Sequence, residues 1–243
     1  MIGRIVRRVR RSLDAGERAR WAAYERDLAA VRTAAGARGV DVFRYPLFEG
    51  GEHPEGYIDF ECRFAAWHLR RAEVRSLLDI GSYRPFVLGL SAGYDVTALD
   101  VRPRQPGMGT ETILVGDAAR IPAPDAAFDA VVSLSSIEHF GLGRYGDPLN
   151  LDADTAAAAE MRRVLRPGGT LVVTTSLTAG RAALAFNAHR IYGLEQARAL
   201  FAGMERVDER FFSHDAGGEV ALDRITTAPM GWDVYCACLR KPA

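Results

Sequence analysis

The sequence predicts an α/β fold: a seven-stranded, mostly parallel sheet with an antiparallel last strand, helices on both faces and an N-terminal helical extension. Three observations lead there. Seven short apolar runs recur along the chain, and the first five are separated by segments long enough for parallel crossovers. A length of 243 residues with 48% apolar content suffices for one full α/β core. Acidic residues close the first three runs, at the strand ends where ligands of open parallel sheets bind.

Residues 4 to about 38 read as one or two helices, with Trp21, Tyr24, Leu28 and Val31 on one face and Gly36 and Gly39 as stops. At their start Ile2, Ile5, Val6, Val9 and Leu13 recur at helical spacing among five arginines, without the continuous apolar segment of a secretion signal. Such a narrow stripe suits packing on the domain, on anionic lipid or on a partner subunit, and so admits a homodimer through this helix. Asp41–Gly56, with Pro46, Gly50, Gly51 and Pro54, reads as an ordered loop or lid, and Ile58–Ala72 as a helix. The expected strands are Ser76–Ile80, Asp95–Leu99, Thr112–Val115, Phe128–Leu134, Leu171–Thr175, Arg206–Phe212 and Trp232–Leu239, the last two as an antiparallel pair. A helix, Thr155–Leu165, precedes the fifth. The extension and lid are placed at 1–74 and the sheet domain at 75–243.

Formal charge is zero, which argues against nucleic acid as a partner. No apolar run reaches the eighteen residues a membrane span needs. Cys62, Cys236 and Cys238 form neither an even disulfide set nor a CxxC pair, so a cytoplasmic location is expected. Cys236 and Cys238, two apart on a strand, read as packed thiols.

In Ser76–Ser82 a strand ends with Asp79 and Gly81, and twenty-one residues later the second strand ends in Asp100. A glycine turn lets the backbone approach a ligand, and an acid at the next strand tip accepts hydrogen bonds from ribose hydroxyls. The third strand runs to Asp117, where an acid and the following amide suit an adenine edge. A nicotinamide enzyme would share the ribose acid but would carry Gly-x-Gly-x-x-Gly, which this chain lacks.

These three acids resemble the pattern of class I S-adenosylmethionine-dependent methyltransferases over about residues 75–240, which implies a Rossmann-like sheet and S-adenosyl-L-methionine as cofactor. By that resemblance Asp79, Gly81, Asp100 and Asp117 are cofactor-binding, together with the adjoining Ser82, Val101, Ala118 and Ser135. The family's acid-x-Gly-x-Gly motif is altered: Tyr83 stands at the second glycine and Pro85 follows, placed to begin a helix. The methionine end of the cofactor then needs a different loop shape. More specifically, Asp79–Ser82, Ser135–Asp147 (SSIEHFGLGRYGD) and Asn187–Gly193 (NAHRIYG) resemble family 268 of the domains of unknown function over most of residues 57–200. That resemblance implies the fold and cofactor and leaves the acceptor open.

The stretch Ser135–Asp154 directly follows the fourth strand and carries the candidate chemistry. His139 is the first candidate base, because imidazole titrates near neutrality; Glu138 orients it or is itself the base, and His189 is a second candidate. Arg144 and Arg190, with planar forks suited to carboxylate or phosphate, and Tyr145, Asn187 and Tyr192 are the expected acceptor contacts. Asp147, Asp152 and Asp154 invite a divalent cation, but the last two open a helix, where carboxylates favour the dipole, so no metal is assigned. The expectation is methylation of an oxygen on a small polar acceptor, a sugar or secondary metabolite. The alternatives are a noncatalytic binding or regulatory protein, or different chemistry on the same fold.

Overall fold

The computed structural model describes residues 14–48, 55–105 and 108–243. The basic stripe of the first thirteen residues, and the dimer contact expected of it, lie outside the described residues, as does the 49–54 part of the expected lid. The chain divides into two compact units, residues 1–53 and 54–243.

In the first unit, α1 (Ala15–Gly36) starts at a capping box, Asp14 accepting from the Glu17 amide and Glu17 from the Asp14 amide, both at 2.8 Å. Trp21 and Tyr24 pack edge-on to each other and to Phe48, and the Arg44 guanidinium lies 5.7 Å over the Trp21 ring and pairs with Glu25. Residues 41–48 carry no regular element.

The second unit begins with α2 (Tyr57–Leu69), three residues shorter at its end than expected. The sheet strands are β1 (Ser76–Ile80), β2 (Asp95–Asp100), β3 (Thr112–Val115), β4 (Phe128–Ser133), β5 (Leu165–Thr178), β8 (Glu205–Ser213) and β10 (Asp233–Arg240), which are the seven expected, and three short ones. Those are β6 (Ala183–Ala185), β7 (His189–Gly193) and β9 (Gly218–Val220). The order is β3-β2-β1-β4-β5-β10-β8-β9, with β10 antiparallel to both β5 and β8 and the first five strands parallel. The doubly wound sheet is therefore as expected. The three additions escape sequence reading because they are three to five residues long and partly polar; β6 and β7 form a hairpin whose second strand extends the tip of β5 through Leu177↔Tyr192 and Thr178↔Gly193.

Alternation sorts the strand side chains onto two faces. Leu78, Ile80, Val131, Leu171 and Val173 pack with Ala157, Ala158 and Met161 of α4 (Ala153–Val164) and Ala197 of α5 (Leu194–Ala199). Leu77, Val96, Ala130, Val132 and Val172 pack with Phe64 and Leu69 of α2 and Val87 and Leu90 of α3 (Arg84–Leu90). Cys236 and Cys238 both belong to the α2 face, buried and not disulfide-bonded. No helix among the described residues is long and apolar enough to cross a membrane.

Asp129 of β4 fixes where β1 begins: one carboxylate oxygen accepts from the Arg75 and Ser76 amides, both at 2.8 Å, and the other pairs with Arg166 at 3.1 Å. Burial pushes this carboxyl up, but the Ser76 and Arg75 donors and the Arg166 charge outweigh it and hold it below the usual range. Asp129→Ala is expected to cost about 2 kcal/mol in urea denaturation at neutral pH. Because the folded-state pKa is depressed, the wild-type advantage is present above the ordinary carboxylate range and fades only as pH falls below it.

Candidate active site

The carboxyl ends of β1 to β5 meet at one edge, and two adjoining crevices open there. The first is lined by Gly81 after β1, Asp100 and Val101 at the end of β2, Asp117 and Ala118 after β3, and Ser135 after β4. Six of the eight residues expected to hold a cofactor are thus together. The second, of about 520 Å³, takes in Ser82, Glu138, His139, Arg144, Tyr145 and His189, with Tyr83 of the altered motif and with Tyr57, Ser176 and Trp232, which the sequence did not mark as site residues. Gly81, Arg102, Ser135, His139 and Tyr145 border both.

Gly81 has φ +70, and a Cβ there would stand 2.3 Å from Ser136 Oγ, so both the backbone turn and the approach of the β4 loop require glycine. Asp79 lines neither crevice. It is buried behind the turn with Oδ1 unpartnered among the described residues, and burial pushes its carboxyl up to about 7 against the opposing pull of the Ser82 amide and hydroxyl and of Arg104 and Arg84. Tyr83 caps α3, with Arg84 ahead of Pro85 in its first turn, and the Tyr83 hydroxyl lies 3.3 Å from that of Tyr57. The altered motif therefore builds a tyrosine pair where a second glycine would leave space.

Asp100 is engaged by its neighbour: Arg102 donates from its amide and Nε to Oδ1, both at 2.9 Å, and from Nη2 to Oδ2 at 2.6 Å. Burial pushes Asp100 up, but Arg102 more than compensates and holds it below the carboxylate range. The same guanidinium lies 4.7 Å from the Tyr145 ring centroid. Asp117 Oδ1 accepts from the Ala119 amide at 2.9 Å, capping the short turn Ala118–Arg120.

His139 Nδ1 bonds the Ala188 carbonyl. A carbonyl only accepts, so Nδ1 carries the hydrogen and Nε2 of the neutral ring keeps its lone pair. Burial, with the nearby Arg144 and His189, lowers the His139 pKa despite the Ala188 contact. His189 lies 6.1 Å from His139 and 5.6 Å from Trp232 between ring centroids; burial and Arg144 lower its pKa as well. Glu138 is buried, accepts from Thr175 Oγ1 at 3.1 Å, and is pushed up to about 8, chiefly by desolvation. Burial thus favours its protonated form at neutral pH.

Three expected acceptor contacts sit elsewhere. Arg190 is buried and spends its guanidinium on the carbonyls of Phe140 (2.6 Å) and Leu151 (2.9 Å) and on Asp154 (3.2 Å). Tyr192 donates to the same carboxylate at 2.7 Å. Asn187 is exposed at φ +60 in the β6–β7 turn, a left-handed position asparagine tolerates. Arg190 and Tyr192 thus hold the loop in place, and none of the three residues lines either crevice. Asp147 accepts from the amides of Gly143 and Tyr145 and Asp154 from Tyr192 and Arg190, while Asp152 stands at the N-cap of α4 without a side-chain hydrogen bond to the helix. No cluster of three or more metal-ligating side chains exists among the described residues.

Sequence reading also missed Glu61. It is fully buried on α2, where Oε1 accepts from Ser135 Oγ and from Thr174 Oγ1 at 2.7 Å. The signal was present: residues 57, 61, 64, 65 and 68 form one helical stripe, apolar or aromatic except for this acid.

A family model described as "Caenorhabditis protein of unknown function, DUF268" matches residues 117–229, a span that includes the Ser135–Asp147 and Asn187–Gly193 segments and excludes the Asp79–Ser82 turn. No curated protein matches the chain in sequence. Among solved structures the chain is similar to the cyclase SpnF, at 19% identity and TM-score 0.57 over 86% of this chain and 91% of that one. It is similar also to the 1,6-didemethyltoxoflavin-N1-methyltransferase of Burkholderia thailandensis, solved with 1,6-didemethyltoxoflavin and S-adenosylhomocysteine, at 17% identity and TM-score 0.57 over 95% and 92%. The N-methyltransferase NodS of Bradyrhizobium japonicum WM9, in complex with S-adenosylhomocysteine, is 18% identical with TM-score 0.53 over 76% and 87%. The chain thus resembles the DUF268 family and has the fold of class I S-adenosylmethionine-dependent methyltransferases.

Removing Arg190 leaves the buried Asp154 carboxylate without its cation and the Phe140 and Leu151 carbonyls without their donor. Arg190→Ala is expected to lower stability by about 3 kcal/mol in chemical denaturation. A variant that stayed as stable as wild type would return Arg190 to the acceptor contacts.

Proposed function

We propose that this protein is an S-adenosyl-L-methionine-dependent methyltransferase acting on an oxygen of a small polar acceptor such as a sugar or secondary metabolite. One observation carries the reading: a crevice bounded by Gly81, Asp100 and Asp117 shares a wall with a second crevice that holds a neutral histidine. The residues fit the cofactor, since Asp100 and Asp117, two carboxylates able to accept from hydroxyl and amino groups, line one crevice together with the Gly81 turn. When bound, S-adenosyl-L-methionine supplies an electrophilic methyl group.

Asp100 would hold the ribose hydroxyls in place of its contacts with Arg102, and Asp117 with the Ala118 amide would hold the base. His139 Nε2 accepts the proton of the acceptor hydroxyl, with Nδ1 anchored on Ala188. Glu138, its carboxyl pushed up to about 8 by burial, is mostly protonated at neutral pH and there serves as a hydrogen-bond donor and not as the base. Tyr145 and Arg144 form the outer wall on one side and His189 and Trp232 on the other. The three unbridged thiols suit a reducing cytoplasm. A second reading, chemistry other than methyl transfer or binding alone, draws support from the Arg102 hold on Asp100, which competes with a ribose.

Isothermal titration calorimetry with S-adenosylhomocysteine is expected to show binding, weakened about tenfold or more in Asp100→Ala; no heat with wild type would refute the cofactor reading. His139→Ala is expected to lose about a hundredfold or more in turnover against a panel of sugars, acids and amines while binding S-adenosylhomocysteine within a few-fold of wild type. Because the His139 pKa is lowered, wild-type kcat/KM should rise with pH and level off already below the ordinary imidazole range.

A further inference from the structure

Glu61 is a buried acid to which the methyl-transfer scheme above gives no task, and its surroundings are specific. Ser135 has φ +44, an uncommon conformation for a non-glycine residue. A closed ring of hydrogen bonds accompanies it: the Ser135 amide donates to Thr174 Oγ1 at 2.8 Å, Thr174 Oγ1 donates to Glu61 Oε1, and Ser135 Oγ donates to the same Oε1. The hydroxyl proton of Ser135 is thereby committed to Glu61, and the remaining lone pairs of Ser135 Oγ are left for a donor at the wall between the two crevices. Glu61 Oε2 has no partner among the described residues.

We propose that Glu61 is a positioning residue for the methyl donor: it holds the Ser135 proton so that Ser135 Oγ accepts from the ligand's ammonium group, and its charge sets how tightly that cation is held. The inference rests on the S-adenosylmethionine reading. Donation to a carboxylate polarises a hydroxyl more strongly than donation to a neutral acid, and a buried negative charge attracts a nearby cation through a low dielectric. Burial pushes Glu61 up to about 7, against the two hydroxyl donors. The groups facing it are Glu138 from the turn after β4, Tyr83 from the turn before α3, Cys236 from β10 and Cys62 on its own helix; the last three stay uncharged to about pH 8.5, while Glu138, pushed up to about 8, ionises after Glu61, so the increment from Glu61 is read between about pH 5.5 and pH 7.5.

The test is calorimetric titration of the full chain, wild type, Glu61→Gln and Ser135→Ala, with S-adenosylhomocysteine between about pH 5.5 and pH 8.5. Glutamine keeps an oxygen to accept from both hydroxyls and fixes the neutral state. The wild-type to Glu61→Gln affinity ratio is expected to lie near one at the acid end, where both are neutral, and to rise to about fivefold to tenfold by about pH 7.5. Taking the ratio cancels the titration of Asp79 and of the histidines. Ser135→Ala should lose the same pH-dependent increment. With 5′-methylthioadenosine, which lacks the ammonium, the ratio should stay near one throughout. A ratio that does not vary with pH, or that rises equally for 5′-methylthioadenosine, would overturn the proposal while leaving the methyl-donor reading intact. No binding of S-adenosylhomocysteine to wild type at any pH would overturn both.

Discussion

Arg190 holds in place the loop that supplies Glu138, His139, Arg144 and Tyr145 to the second crevice. Its guanidinium reaches Phe140 and Leu151, eleven residues apart at the two ends of that loop, and is neutralised by Asp154 in the first turn of α4. A long polar loop is a poor candidate for a fixed wall, since its backbone groups prefer water. One buried cation with several donors converts it into a wall by satisfying carbonyls that would otherwise be stranded. Tyr192 completes the arrangement from the same strand by donating to Asp154. The positions of Glu138, His139 and Tyr145 follow from that anchoring.

Ionisable groups around the crevices then divide according to the company each keeps. Asp100 has Arg102 and stays charged, whereas Asp79, Glu61 and Glu138 are buried with hydroxyl or amide donors or distant arginines and are pushed toward neutrality. The histidines move the other way, to the neutral base form, because burial and Arg144 both disfavour their cations. Around neutral pH the second crevice therefore holds a hydrogen-bond-donating acid beside a proton-accepting imidazole.

The sheet was legible in the sequence because each of its seven long strands is an apolar run bounded by breakers; Ser76–Ile80 and Thr112–Val115 have the very ends that their patterns predict. That Gly81, Asp100 and Asp117 share one crevice was legible for the same reason, since a strand end fixes where each stands. Arg190, Tyr192 and Asn187 were not, because a short polar strand gives no period, and residue type alone cannot tell a guanidinium facing a ligand from one facing carbonyls. Glu61 was hidden differently. Its pattern was visible as an acid in an apolar stripe, but its partners Ser135 and Thr174 lie 74 and 113 residues away and only the fold joins them.

His189 and Arg190 are neighbours on β7, and alternation sends one side chain to the crevice and the other to the buried loop anchor. A slip of one residue in the β7 pairing would exchange them, placing an imidazole among the carbonyls and a guanidinium in the crevice. Drift in the length of β7 is thus costly, while the exposed turn around Asn187 can lengthen without disturbing either. Diversification of the acceptor wall in descendants of this chain would accordingly run through insertions at that turn and substitutions at position 189, with the strand's register held constant.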